Sequence, residues 1–278
     1  MTLPGVIGHA PSRTLPRGLA AIVEALELDQ AHLVTSGMLE EIRQRVGVAT
    51  PSKVLAARLR ERGWLLATAQ RGVYEFAPGA HAGALSRGDA TLPLQAVLRA
   101  RPGLAAGLAL QSAAWALGAA DRAPTRLEIA APDATVARSL SNSLADLARV
   151  VVFAPQLPWE HHRGVPVMCA DSVLVHMATH PVAVRSWSSA VEWLPDLAAD
   201  ASGDRLLAEL AGRPHSGPAR LAYMLSGLRP DLTTALTLPT HGKVYFGPRG
   251  PLLRHDSQHQ IADTLLPFDP RTLEQVAL

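Results

Sequence analysis

LVTSGMLEEIRQRVGVATPSKVLAARLRERGWLLATAQRGVYEFAP, Leu33–Pro78, is the stretch whose pattern sets how the remaining residues are read. Met38, Leu39, Ile42 and Val46 recur at helical spacing, and Thr35 or Ser36 stands where a side-chain oxygen would cap that helix. Gly47 ends it, because glycine accepts the left-handed conformation at a helix terminus. Thr50 is expected to cap a second helix with Pro51 at its first position, and Gly63 to close it. WLLATA and VYEFAP then read as two strands around a Gln70-Arg71-Gly72 tip. Two short helices joined tightly, then a hairpin, is the order of a winged helix-turn-helix, a scaffold that lays its second helix in a DNA major groove.

Charge sharpens that reading. Between Arg43 and Arg71 lie Arg43, Arg45, Lys53, Arg58, Arg60, Arg62 and Arg71 against a single acid, Glu61, a local balance of +6 in a chain whose formal net charge is +2. At about 100° per residue, Val54, Leu55, Leu59 and Arg62 are expected to form the back of the second helix. Thr50, Ser52, Lys53, Ala57 and Arg60 form its front. Small residues permit close approach to a groove, and Arg and Lys reach phosphates and guanine edges. The residues expected to touch double-stranded DNA are Thr50, Ser52, Lys53, Arg58 and Arg60 on the helix, with Gln70 and Arg71 at the wing tip. A winged helix that docks on protein would show the same outline and stays open.

Outward from this core, an amphipathic helix from Pro16 or Arg17 to about Leu28 supplies the first helix of a three-helix fold, with Leu19, Ile22, Val23, Leu26 and Leu28 as its buried stripe. Residues 1–16 are rich in Pro and Gly and read as an arm; with only His9 and Arg13 as basic groups, they give little support to minor-groove binding. On the other side, Gly79–Asp89 is small, polar and Gly-rich. The boundary is placed there, giving a domain of residues 1–86 and a second of 87–278. In the second, helices are expected at Thr91–Arg101, Gly103–Leu117, Ala134–Leu147, Asp171–His180 (capped by Asp171), Ala183–Ala199, Gly203–Ala211 and Pro218–Leu228, and strands at Arg126–Ala131, Arg149–Pro155 and Val165–Cys169. Lys243–Leu266 reads as a β-rich closing unit. The fold class is therefore α+β: an N-terminal winged helix-turn-helix followed by a larger mixed α/β domain.

Composition bounds the function. Apolar residues make up 48% of the 278, enough for a sizeable core, yet no run is long and apolar enough for a membrane span. The first residues lack the apolar run and cleavage pattern of a secretory signal. One cysteine, Cys169, suits a reducing compartment, so a cytoplasmic protein is expected. Only Lys53 and Lys243 are lysines among the 26 basic residues, which reads as a coding bias and strips the choice of Arg over Lys of information.

Catalytic signatures are missing. His176 and His180 share a helix face in HMATH, but the zinc-protease motif requires Glu beside the first His and position 177 is Met. A plain zinc site would need a third ligand, with Cys169, His161 and His162 as the nearby candidates, and two ordinary helix histidines are the simpler reading. Cys169 reads as a small buried hydrophobe, and Trp115, Trp187 and Trp193 as core. There is no G-x-S-x-G elbow, phosphate loop or dinucleotide fingerprint, and no acid stands two before either lysine. Arg254–Asp256 is a short acid–base triplet. No enzyme, catalytic residue, metal or cofactor is expected. Arg213, Arg220, Arg229, Arg249 and Arg254 read either as a patch for phosphate or an acidic partner, or as solvated charge.

The runs RERGWLLATAQRGVYEFAPGA and QSAAWALGAADRAPTRLEIAAP resemble antitoxins of the AbiEi type, from type IV abortive-infection toxin–antitoxin pairs of bacteria. RSWSSAVEWLPDLA, ARLAYMLSGLRPDL and VYFGPRGPLLRHDSQHQIADTLLP are similar to a longer actinobacterial branch of that family. The resemblance implies an N-terminal winged helix that binds operator repeats and represses its own operon, on which a homodimer is allowed. It implies a C-terminal domain that counters a nucleotidyltransferase-like toxin encoded nearby. By position, the DNA-contacting role falls on Thr50–Arg62 and Gln70–Gly72, with Ala57 standing where a longer reader is expected. The other reading is a winged-helix transcription factor whose second domain senses a ligand or mediates oligomerisation.

Overall fold

The computed structural model describes residues 14–78, 89–236 and 242–274. Two compact units divide the chain, Met1–Leu104 and Ala105–Leu278. The boundary expected at 86/87 falls within residues 79–88, outside the described residues, as does most of the N-terminal arm.

In the first unit the order is α1 (Arg17–Leu28), β1 (Leu33–Thr35), α2 (Ser36–Arg45), α3 (Ser52–Glu61), β2 (Leu65–Ala67), β3 (Val73–Phe76) and α4 (Leu92–Ala100). The three strands form one antiparallel sheet in the order β1-β3-β2. β1 is absent from the sequence reading: three residues directly abutting a helix carry no period, and the strand exists only because β3 pairs with it 40 residues on, Val34 opposite Tyr74. Ile22, Leu26, Leu39, Ile42, Leu55, Leu59, Leu65 and Phe76 meet in one core. Thr35 does cap α2, its side chain accepting from Met38 N at 3.1 Å. Thr50 does not cap α3: Pro51 holds the cap position in an extended conformation, and there is no side-chain cap hydrogen bond. Gly47 and Gly63 both adopt positive φ, +69° and +68°, where the chain must turn sharply between elements. Helix α4 was read as opening the second domain. It packs instead on the sheet, with Ala96 and Leu92 against Leu33 and Val73, so a fragment carrying this unit should run to Leu104.

The second unit contains β4 (Gly107–Leu108), α5 (Leu110–Ala116), β5 (Leu127–Ala131), α6 (Ala134–Leu144), β6 (Ala148–Val152), β7 (Glu160–His162), β8 (Val165–Val167), α7 (Ala170–Thr179), α8 (Trp187–Ala199), α9 (Gly203–Leu210), α10 (Ser216–Leu225), α11 (Pro230–Thr233), β9 (Val244–Phe246), β10 (Arg254–Asp256) and β11 (Ile261–Asp263). A five-stranded mixed sheet runs β6-β5-β4-β8-β7, and a three-stranded one β10-β11-β9. Every residue of β5 and of α7 is buried, so α7 is the hub on which α5, α8, α9 and α10 pack. The helix expected over Gly103–Leu117 is in fact β4 followed by the shorter α5. Gly107 is the reason this short strand must stay narrow: a Cβ there would lie 2.5 Å from the Pro166 carbonyl oxygen. Asp171 is not a cap. Cys169 holds that position, while Asp171 sits buried inside α7, accepting from Arg205 Nε at 2.6 Å and Ser202 N at 2.8 Å. No described helix is long and apolar enough to cross a membrane.

Candidate functional site

Helix α3 buries Leu55, Ala56 and Leu59. At about 100° per residue the middle of its outer face is then Ala57, Glu61 and Val54, with Lys53 and Arg60 along one margin and Arg58 along the other. This corrects the sequence reading, which put Val54 on the back; Val54 is 39% exposed and the buried stripe is completed by Ala56. The phase could have been found by giving Ala56 equal weight as a core residue. Thr50, Ser52 and Gln70 are half-buried, whereas Lys53, Arg58, Arg60 and Arg71 are exposed.

The basic residues between Arg43 and Arg71 split into two groups. Arg43 is bound to Glu40 and donates to the Val48 carbonyl at 2.8 Å, holding the turn after α2. That partner, with Gln44, holds the Glu40 carboxyl down at about 2. Arg45 pairs with Asp29 at 2.6 Å, and Arg62 folds back on the Arg58 carbonyl. Lys53, Arg58, Arg60 and Arg71 make no ion pair among the described residues. Arg60 lies over the Tyr74 ring, 5.9 Å from its centroid, leaning towards the hairpin.

The hairpin tip is built to hold its shape. Thr68 Oγ1 donates to the Val73 carbonyl at 2.8 Å and accepts from Gln70 N at 3.1 Å, closing the loop from within. Gly72, at φ +79°, turns its carbonyl to accept from Ser36 N at 3.0 Å, tying the tip to the start of α2. Arg71 projects from this braced loop.

In the second unit the arginines left open between a binding patch and solvated charge are staples. Arg213 pairs with Glu209 and donates to the Ala154 carbonyl at 2.6 Å. Arg220 Nε reaches the Tyr245 carbonyl at 2.7 Å. Arg229 bonds the Ala198 and Ala201 carbonyls and Asp231, and Arg254 bonds the Leu266 and Phe268 carbonyls. Of these five, Arg249 alone has just a ring contact among the described residues, over Tyr245. Buried carboxylates anchor the same unit: Glu128 accepts from Gln111 N at 3.0 Å and Arg149 at 3.1 Å, with burial pushing its carboxyl up. His176 stacks on Phe153 at 4.2 Å, with His180 edge-on at 5.5 Å and Arg213 over the same Phe153 ring at 4.1 Å. Burial first, and then the neighbouring His180 and the arginines, push the His176 imidazole down to about 3. A cleft of about 430 Å³ opens beside α8, lined by Asp121, Arg122, Glu192, Trp193 and Asp196. Trp187 and Trp193 are core as expected, while Trp115 is only half-buried, edge-on to His162.

The RV2827C protein from Mycobacterium tuberculosis, known from a crystal structure, is similar over 94% of this chain and 96% of its own, with a TM-score of 0.73 and 27% identity. No curated protein matches the chain. Residues 105–227 match the AbiEi antitoxin C-terminal domain. Those residues span the five-stranded sheet and the helices α5 to α10 packed about α7, so the similarity to that antitoxin domain lies in the second unit.

Proposed function

We propose that the protein is a cytoplasmic, non-catalytic antitoxin that binds operator DNA through its first unit, represses its own operon, and counters a nucleotidyltransferase-like toxin through its second. The match of residues 105–227 carries the antitoxin part of this reading. The DNA part is supported by the first unit: α1-β1-α2-α3-β2-β3 with a β1-β3-β2 sheet is the order of a winged helix-turn-helix. Lys53, Arg58 and Arg60 on α3 and Arg71 at the wing tip are exposed cations at the two places that touch a duplex in that fold, while Arg17, Arg45 and Arg99 are exposed on other helices. A monomer offers one such helix, so a homodimer on repeated half-sites completes the reading. The toxin's gene is sought beside this one. Expressing that gene with and without the full chain, and scoring growth, tests the antitoxin role; growth arrest that this chain does not relieve overturns it.

DNA binding has its own test, with duplex from upstream of the gene and a salt titration. Lys53→Ala and Arg71→Ala should each weaken binding to operator and unrelated duplex alike, each lowering the salt slope by about 1. Neither should shift the melting temperature, since both side chains are exposed. Unchanged affinity in the double variant would remove α3 and the wing from the interface. The cleft at Asp121 and Glu192 is the observation that favours the other reading, a ligand-sensing second domain; a small molecule that changes operator affinity, with no toxin gene nearby, would support it.

A further inference from the structure

Valine at position 54 has no explanation within the fold. It is 39% exposed in the first turn of α3, it lies outside the core that Leu55, Ala56 and Leu59 build, and valine is a poor helix former. Beside it on the outer face is Ala57, also exposed and too short to keep a surface at a distance. Lys53 and Arg60 flank this pair on one side and Arg58 on the other, all three exposed. The N-terminal half of the outer face thus has an apolar centre and cationic margins, with the exposed carboxylate of Glu61 one turn further on, at the C-terminal end of the helix. One valine and one alanine are too small a patch to hold a protein partner in water.

A DNA major groove has the complementary layout. Phosphates line both edges, and the apolar group displayed on its floor is the C5 methyl of thymine. The N-terminal residues of a recognition helix are those that reach base edges. We infer that Val54 is a specificity-determining residue, packing its methyl groups on a thymine methyl while Ala57 lets the helix sit deep and Lys53, Arg58 and Arg60 hold the flanking phosphates. This rests on the reading of α3 as the DNA-contacting helix and adds to it the base that the helix selects.

The test uses the full chain. Its preferred duplex is first selected from a random-sequence library; each thymine in that duplex is then replaced, one at a time, by deoxyuridine, which removes the C5 methyl and nothing else. At one thymine per half-site the replacement should weaken binding by roughly fourfold, the worth of one buried methyl-sized group. Val54→Ala should bind the thymine duplex roughly fourfold more weakly and be indifferent to deoxyuridine at that position, the two changes failing to add. Its helix should be no less stable, alanine being the better helix former, so lost binding cannot be lost folding. If no deoxyuridine weakens the wild-type protein, or if the same one weakens Val54→Ala equally, the inference is overturned while DNA binding stands. If no duplex is enriched at all, the DNA reading of α3 falls, and this inference with it.

Discussion

Glu209→Ala is expected to destabilise the second unit by about 3–5 kcal/mol, a large part of the roughly 5–15 kcal/mol that a domain has in total. Glu209 is fully buried on α9, and its carboxylate gathers donors from three separate parts of the fold. It accepts from Gln156 N at 2.9 Å and Leu157 N at 3.0 Å, from Ser172 Oγ on α7 at 2.8 Å, and from Arg213. Removing it leaves two backbone N–H groups and a hydroxyl without this acceptor and Arg213 with backbone carbonyls in place of a carboxylate, and each buried donor left unpaired retains its desolvation penalty. Glu209→Gln keeps the shape and some acceptor capacity but not the charge, and should fall between. Urea unfolding followed by tryptophan fluorescence reads this unit, which holds Trp115, Trp159, Trp187 and Trp193 against Trp64 alone in the other. A loss under about 1 kcal/mol would mean that water replaces the carboxylate at little cost.

The second large effect is on acid stability. His176 is buried and neutral, and its Nδ1 finds no partner among the described residues. In the folded chain its pKa is lowered from 6.5 to about 3, so between those values the unfolded chain takes up a proton that the folded one refuses. Stability is therefore unaffected above about pH 6.5 and falls by roughly 1.4 kcal/mol per pH unit below it, up to about 4–5 kcal/mol near pH 3. Glu128 acts in the opposite direction, since burial raises its carboxyl and acidification relieves that penalty. The difference between wild type and His176→Phe isolates the histidine: the variant keeps the stack on Phe153 and should lose the limb below pH 6.5. Parallel stability–pH curves for the two proteins would show that His176 takes up its proton in the folded state as readily as in the unfolded one.

Where a pattern was local, the sequence was readable. Helix α1 runs from Arg17 to Leu28 and buries Leu19, Ile22, Val23 and Leu26 as its apolar stripe implied, although Leu28, expected in that stripe, is 77% exposed at the helix end; Gly47 and Gly63 mark turns at positive φ. What was illegible depends on partners distant in the chain. Strand β1 exists through β3, and α4 belongs to the first unit because Leu33 and Val73 receive it. On α3, counting Val54 as core and Ala56 as neutral turned the helix the wrong way, since an alanine's burial depends on what faces it. The arginines of the second unit read from the sequence as either a binding patch or solvated charge, with a coding bias accounting for arginine over lysine. Arg229 bonds three backbone carbonyls with one guanidinium nitrogen while pairing with Asp231 through the others, a fan of fixed donors that a lysine lacks. At such positions the choice of arginine has a structural cause that composition could not reveal.

The bond from Ser36 N to the Gly72 carbonyl makes one amide proton a reporter for the whole outer face of the first unit. That proton can exchange with solvent only when the hairpin tip lifts off the start of α2, so its exchange rate measures the opening of the tip directly. A duplex clamped by Arg71 would hold the tip closed and slow deuterium uptake at Ser36, whereas a ligand seated elsewhere would leave it alone. Local breathing of the protein thus distinguishes, at a single residue, a partner that spans hairpin and helix from one that touches either alone.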